Sequence, residues 1–302
     1  MQNRINVFQN ETQDDNSMTM MLGAVCGDTA GSPYEFRNIK YCLEKENIIR
    51  QRSRFTDDSV MTCAVAKGIS TALKQIDSNN DDKNLFYDTV HQCVINSMVE
   101  FGKKHPTAGY GGNFARWIFY KNHKPYNSWG NGSAMRVSYA GWIATSLEEA
   151  EMFARLSAEV THNHPEGIKG AKVVAGCIYL SRTGSSKDDI RKYVSQYYNI
   201  NFTLDEIRPS YRFDVSCQGS VPQAIVAFLE GNDFIDVVTR AISIGGDSDT
   251  IAAIAGSIAE TIYPIPYFFR SAVMDKLDND LKQALNEAVE FCQNHIAEYQ
   301  YE

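Results

Sequence analysis

Two stretches far apart in the chain share one pattern, and it constrains the fold more than any other feature. FTDDSVMT (55–62) sets Thr56, Asp57 and Asp58 directly before Val60, Met61, Ala64 and Val65. GGDSDTIAAIAG (245–256) sets Asp247, Asp249 and Thr250 directly before Ile251, Ile254, Ala255 and Ile258. The apolar residues of both keep a helical period. Each segment is therefore expected to be a helix that enters the core with two carboxylates and a threonine at its mouth. The simplest account is capping, with Thr56 and Asp249 as N-caps and first-turn acids complementing the helix dipole. Capping needs one side chain per helix, which leaves Asp247, Thr250 and one of Asp57 and Asp58 without a task. Carboxylates near a core are costly unless a cation neutralises them. Beyond Arg54, neither cluster contains Lys, Arg or His. If the two helix starts face each other, a metal is the simplest source of the missing charge. The donors are carboxylates and hydroxyls, a hard set that favours Mg2+, Mn2+ or Ca2+ over Zn2+ or Cu2+. Four aspartates suit two ions, about 3.5–4 Å apart, better than one.

The rest of the chain reads as helices. Met18, Met21, Leu22 and Val25 fall at i, i+3, i+4 and i+7, which predicts a first helix capped by Asn16 or Ser17 and ending at Gly27-Asp28, with the turn-rich GDTAGSPYEF after it. Further helices are predicted over 84–102, 148–158, 167–182, 221–230, 232–244, 249–262 and 278–299. The segment holding Ala252, Ala253, Ala255, Gly256 and Ala259 is rich in small residues and is expected to be central. Strand signals are scarce. The expectation is an all-α protein, a compact multi-helix bundle. No repeat or long linker divides it, so residues 1–302 are expected to form a single domain, with 1–16 a loose polar tail and 199–221 an irregular excursion.

Composition narrows the partners. A net charge of −8 argues against a general nucleic-acid surface. The seven cysteines form no C-x-x-C pair, and their odd number and irregular spacing suggest reduced thiols. The first residues, MQNRINVFQNETQDDN, lack an apolar signal core, and no stretch approaches the roughly 18 apolar residues of a membrane span. A soluble, cytoplasmic monomer is expected, although delivery by a specialised secretion system would leave no trace in these features.

Several motifs, in order along the chain, resemble the ADP-ribosylglycohydrolase family, which includes the dinitrogenase reductase-activating glycohydrolases. They are GAVCGDTAGSPYEF (23–36), FTDDSVMT (55–62), GYGG (109–112), NGSAMR (131–136), THNHPEGIKGA (161–171) and GGDSDTIAAIAG (245–256). The resemblance implies an orthogonal all-α bundle with two divalent ions, Mg2+ or Mn2+, in a central cleft. It makes Thr56, Asp57 and Asp58 one ligand group and Asp247, Asp249 and Thr250 the other. Glu35 matches a mobile glutamate beside the metals and is expected, with Asp58, to handle the proton. Gly109, Gly111, Gly112, Ser128, Gly130, Asn131, Gly132 and Ser133 match phosphate and ribose loops, and His162 matches a substrate-side histidine. Tyr126 and Trp129, aromatic and close to those loops, are expected to stack on adenine. The implied reaction removes ADP-ribose from a modified protein side chain, with arginine favoured, or from a related compound such as a serine, nucleic-acid or O-acyl adduct. The rival readings are a two-metal phosphohydrolase, which the acids alone permit, and a catalytically weak ADP-ribose-binding or toxin-neutralising protein.

Overall fold

Helix α13 (Ser248–Ala259) is buried along its whole length and organises its neighbours. Helix α1 (Leu22–Gly31), equally buried, runs antiparallel against it. Gly23, Gly27 and Gly31 recur every fourth residue on α1, and their missing side chains let the two backbones touch. A Cβ at Gly27 would lie 2.0 Å from the Ala252 carbonyl oxygen, one at Gly23 2.3 Å from that of Gly256, and one at Gly31 2.5 Å from Asp249 Cα. The buried Glu260 carboxylate, just past α13, takes up the α1 N-terminus. It accepts the Gly23 amide at 2.7 Å, bonds the Met21 and Leu22 backbone and accepts the Trp142 indole N–H at 3.3 Å.

The computed structural model describes residues 20–45, 48–76, 82–120 and 122–299, and apart from one isolated bridge between Gly130 and Ser216 its regular elements are all helices. Around the central pair lie α2 (Asp57–Gln75), α3 (Lys83–Lys104), α7 (Leu147–Glu159), α8 (Pro165–Arg182), α11 (Cys217–Glu230), α12 (Phe234–Ser243) and α15 (Asn279–Tyr299). The expected all-α class is the observed one. Six further helices were not anticipated: α4 (Gly112–Phe119), α5 (Gly132–Met135), α6 (Ser138–Ile143), α9 (Lys187–Val194), α10 (Leu204–Ile207) and α14 (Tyr267–Met274). Each is too short for a 3.6-residue period to repeat convincingly.

Three expectations need correction. The first helix does not stop at Gly27-Asp28 but continues to Gly31, because Gly27 is a contact surface and not a breaker. It begins at Leu22; Asn16, Ser17 and Met18 lie outside the described residues. The last turn expected on α13 is absent, since the helix ends at Ala259 and Ile262 is 43% exposed. The excursion at 199–221 contains α10 and the start of α11, and its segment 211–215 passes over the cleft described below. The seven cysteines are unpaired, all but Cys42 buried. No described helix is long and apolar enough to cross a membrane.

The α1–α13 contact leaves no room for a methyl group. Gly27→Ala is expected to cost about 1–3 kcal/mol or more from overpacking. Gly112→Ala, where a Cβ meets nothing within 4 Å, should change stability by less than about 0.5 kcal/mol. Urea unfolding of the two variants checks the contrast.

Candidate active site

The antiparallel pair brings the C-terminal half of α1 to the N-terminus of α13, so Asp28 arrives beside Asp249. Asp28 is fully buried and reaches the start of α2. Its Oδ1 accepts the Thr56 hydroxyl at 2.7 Å, and its Oδ2 accepts the Thr56 amide at 2.8 Å and the Ser59 amide at 3.1 Å, with the Ser59 hydroxyl also donating. Asp28 thus caps α2 from another helix. Thr56 occupies the N-cap position but makes no side-chain cap bond, and neither does Asp247 at the start of α13. Asp249, expected to be that cap, lies inside the first turn instead. The capping account fails at both helices, and both acidic groups are left for other work.

The two helix starts face each other. Thr250 donates its hydroxyl to Asp58 Oδ2 at 3.3 Å, and the Thr56 hydroxyl lies 3.4 Å from the same oxygen. Asp58 Oδ1 is buried without a partner. Oxygens of Asp28, Asp58 and Asp249 lie within 4.8 Å of one another, and so do oxygens of Glu35, Asp247 and Asp249. Asp249 belongs to both groups. Asn131 orients Asp247, donating from Nδ2 to Oδ2 at 2.6 Å, and it donates to Ser220 Oγ at 3.0 Å. Asp57 completes the floor, its amide tied to the Ala108 carbonyl at 3.0 Å.

So many carboxylates resist ionising together. Burial, then repulsion from Asp247, pushes Glu35 up to about 7; burial, then Asp28, pushes Asp57 up to about 8. Burial and then neighbouring aspartates hold Asp58 and Asp249 well above the usual carboxylate range, and burial also raises Asp28 and Asp247. An orphaned carboxylate oxygen and two three-oxygen groups sharing Asp249 fit a pair of hard divalent cations.

Above the floor is a cleft of about 430 Å³, within the usual range for small-molecule sites. Gly109, Gly111, Gly112, Tyr126, Ser128, Gly130, Asn131, Gly132 and His162 line it. Gly111 and Gly112 face open space, while Gly109 adopts φ +115° with its Cα side against Asp57. His162 is buried, its Nδ1 is 2.7 Å from the Thr161 hydroxyl, and burial followed by Arg136 holds its pKa well below the usual histidine range. Its Nε2 would lie 3.2 Å from a Cβ on Gly132.

Three of the expected site residues lie outside the cleft wall. Ser133 is fully buried and gives its hydroxyl to the Gly167 carbonyl at 2.7 Å, so it braces the loop from behind. Trp129 is 53% exposed, lies edge-on to His164 at 5.6 Å and is not in the cleft wall. Thr56 likewise does not line the cleft, its hydroxyl being bound to Asp28. The residues missed are Asp28, Arg136, Phe36 and Phe213. Arg136 is buried in the wall, donates to the Ser157 carbonyl and the Thr161 hydroxyl, and lies 5.7 Å over Phe114. Its presence in NGSAMR was the available signal. Phe36 and Phe213 stack at the mouth, 5.5 Å apart.

Comparison with known proteins places this all-α bundle, with its carboxylate floor beneath glycine-rich walls, among the glycohydrolases. A profile of ADP-ribosylglycohydrolase matches residues 9–295, and the chain belongs to that family. Among relatives, the ADP-ribosylhydrolase ARH3 of Bos taurus is 26% identical, the match covering 80% of this chain and 83% of that protein. The human ARH3 is also 26% identical, over 80% of this chain and 84% of its own. The ADP-ribosylarginine hydrolase Tri1 of Pseudomonas putida is 26% identical over 48% of this chain and 41% of its own. A solved structure described as an ADP-ribosylglycohydrolase-related protein complex shares the fold, with TM-score 0.57 and 18% identity over 91% of this chain and 96% of that one. The chain is thus an enzyme of the glycohydrolase kind.

The raised carboxylate pKa values fix the sign of a pH effect. Each acid binds its proton more tightly in the fold than in the unfolded chain, where values are near 4. In metal-free protein this stabilisation is complete below about pH 4 and is lost as pH rises through about 7 and 8, the values of Glu35 and Asp57. A divalent cation competes with those protons. Mg2+ or Mn2+ should therefore raise the melting temperature of chelator-treated protein more at pH 8 than at pH 5. Scanning fluorimetry that gives equal shifts at both would remove the carboxylate floor as the binding site.

Proposed function

We propose that the protein is a divalent-cation-dependent hydrolase. It cleaves the bond between C1 of the distal ribose of ADP-ribose and a modified protein side chain, with arginine the favoured acceptor, and it acts as a monomer. One observation carries this reading: Asp249 is shared by two carboxylate groups at the floor of a cleft with glycine walls. The arginine preference draws on the P. putida relative's name.

Asp28, Asp58 and Asp249 would hold one ion, and Glu35, Asp247 and Asp249 the other, with Asp57 and Thr250 alongside and Thr56 acting through Asp28. Bound there, Mg2+ or Mn2+ supplies Lewis-acid polarisation and a purchase on the ribose hydroxyls. The chain's own residues do the rest. The open space at Gly111 and Gly112, at the start of α4, admits the diphosphate to backbone amides. Tyr126 offers a ring to adenine, and neutral His162 offers Nε2 to the sugar-phosphate. Arg136 backs His162 through their shared bonds to Thr161. Glu35 sits on the turn that follows α1, so it can reorient when substrate enters. In the reaction, water adds to C1 as the bond to the side-chain nitrogen breaks. Glu35 takes the proton from that water and returns one to the departing nitrogen. Asp58, with Oδ1 free of any partner, faces the same space and is the alternative carrier.

Glu35→Gln should lower turnover by at least ~100-fold, the low end of general acid–base contributions. ADP-ribose binding by calorimetry should stay within about tenfold. Asp249→Asn should nearly abolish turnover while leaving α13 intact, because an Asn side-chain oxygen can still accept the Thr250 amide that Asp249 Oδ1 accepts at 3.0 Å. Near-normal rates in both variants would return these acids to structural roles.

A panel of defined substrates tests the reaction itself: ADP-ribosyl arginine, serine, nucleic-acid and O-acyl adducts with Mg2+ or Mn2+, read by mass spectrometry. Free ADP-ribose, fastest from arginine and absent after chelation, is the expected product. AMP or phosphate would identify a phosphohydrolase, and binding without release would identify a non-catalytic ADP-ribose binder.

A further inference from the structure

The chain as a whole is acidic, at −8, yet cations edge the mouth of its cleft. Phe36 and Phe213 stack there with planes 30° apart, and they bring together the segments that carry them. Arg37 follows Phe36 and Arg212 precedes Phe213, both exposed. Lys40 Nζ donates to the Tyr211 carbonyl at 2.7 Å, and Arg212 Nη1 donates to the same oxygen at 3.0 Å. Two positive charges are therefore held on one acceptor. Arg52 lies 6.0 Å over the Tyr34 ring, next to Glu35, and exposed Arg54 is tied to the same turn, its amide donating to the Ser32 hydroxyl at 3.2 Å. Among the described residues, Arg37, Lys40, Arg52, Arg54 and Arg212 form no ion pair. Arg208 nearby is paired with Asp205, and the Asp214 carboxylate is turned back to the Ser216 amide at 2.8 Å.

Like charges gathered with no carboxylate within ion-pair distance favour an incoming anion. We propose that this rim docks acidic residues flanking the modified side chain of a protein substrate, so that the enzyme prefers ADP-ribosyl groups set in acidic segments. The inference rests on the ADP-ribosyl hydrolase reading and adds the substrate's surroundings to it. An acidic peptide fits better than nucleic acid. A strand with a phosphate at every nucleotide would run past the rim along a chain of net charge −8, whereas a few carboxylates end where the cations end. Exposed guanidinium groups pair carboxylates in bidentate fashion, and Phe36, 79% exposed, adds an apolar contact beside them.

The test uses the full chain and peptides with one ADP-ribosyl-arginine flanked by acidic, neutral or basic residues. Acidic flanks should raise kcat/KM over neutral ones by about tenfold at low salt and much less at 0.5 M salt, where charges are screened. Arg37→Glu with Arg212→Glu should abolish or invert that preference, Arg37→Gln with Arg212→Gln should weaken it, and both should hydrolyse free ADP-ribosyl-arginine at the wild-type rate. The same acidic peptide without ADP-ribose, followed by fluorescence anisotropy, reports on the rim independently of catalysis. Loss of its binding in the charge-reversed protein supports the proposal even if no substrate is cleaved. Equal rates for the three peptides, a preference that survives charge reversal, or stronger competition by a single-stranded oligonucleotide of matched charge would overturn it. Failure to cleave free ADP-ribosyl-arginine counts against the reaction, not against the rim.

Discussion

The direct backbone contact between α1 and α13 is the constraint on which the site depends. With glycine at three successive turns, α1 lies against α13 without intervening side chains. That proximity carries Asp28 to the carboxylates at the start of α13, and the turn after α1 then delivers Glu35 to the same place. Ordinary side chains between the helices would hold them 8–10 Å apart, and the two three-oxygen groups would separate. The apolar bulk of α13 and the acidity of its first turn serve one arrangement: a core helix whose end opens into a cleft.

A charged floor inside such a core needs its own support. Asp28 receives hydrogen bonds from two backbone amides and two hydroxyls, more than any other acid of the group, and it gives α2 its cap. Asp247 leans on Asn131. Asp58 keeps one oxygen without any donor. This unevenness separates the carboxylate that holds the scaffold from those left open toward the cleft.

The acid-threonine pattern before two apolar helices was legible because local periodicity and charge both act within a few residues. That the helices face each other was only conditional in the sequence, since facing is a tertiary fact. Asp28 was hidden because Gly-Asp before a turn-rich segment imitates a helix stop; the spacing of Gly23, Gly27 and Gly31 was the countervailing sign. Thr56 looked like a cap because nothing local reveals that Asp28 supplies one from another helix, and Asp249 because sequence does not tell whether a helix begins one residue earlier, at Ser248. Trp129 and Ser133 share a loop with residues that do line the cleft, and motif membership does not tell which way each side chain turns. The short helices escaped for want of length, and Phe213 because its partner Phe36 comes from the other end of the chain.

The buried Glu260 carboxylate gives this arrangement a further property. It holds the start of α1 from just beyond the end of α13; Asp28 on α1 holds the start of α2; and Asp58 at the start of α2 meets Thr250 on α13. The three links close into a ring, so each of the three helices is tied to the other two. A closed ring of this kind is sensitive to register. One residue inserted between Gly23 and Asp28 would rotate Asp28 about 100° around the helix axis relative to the anchored end, and no movement elsewhere in the ring could absorb the error. Changes of length in this lineage should therefore gather in the connecting segments, leaving the spacing within α1 untouched.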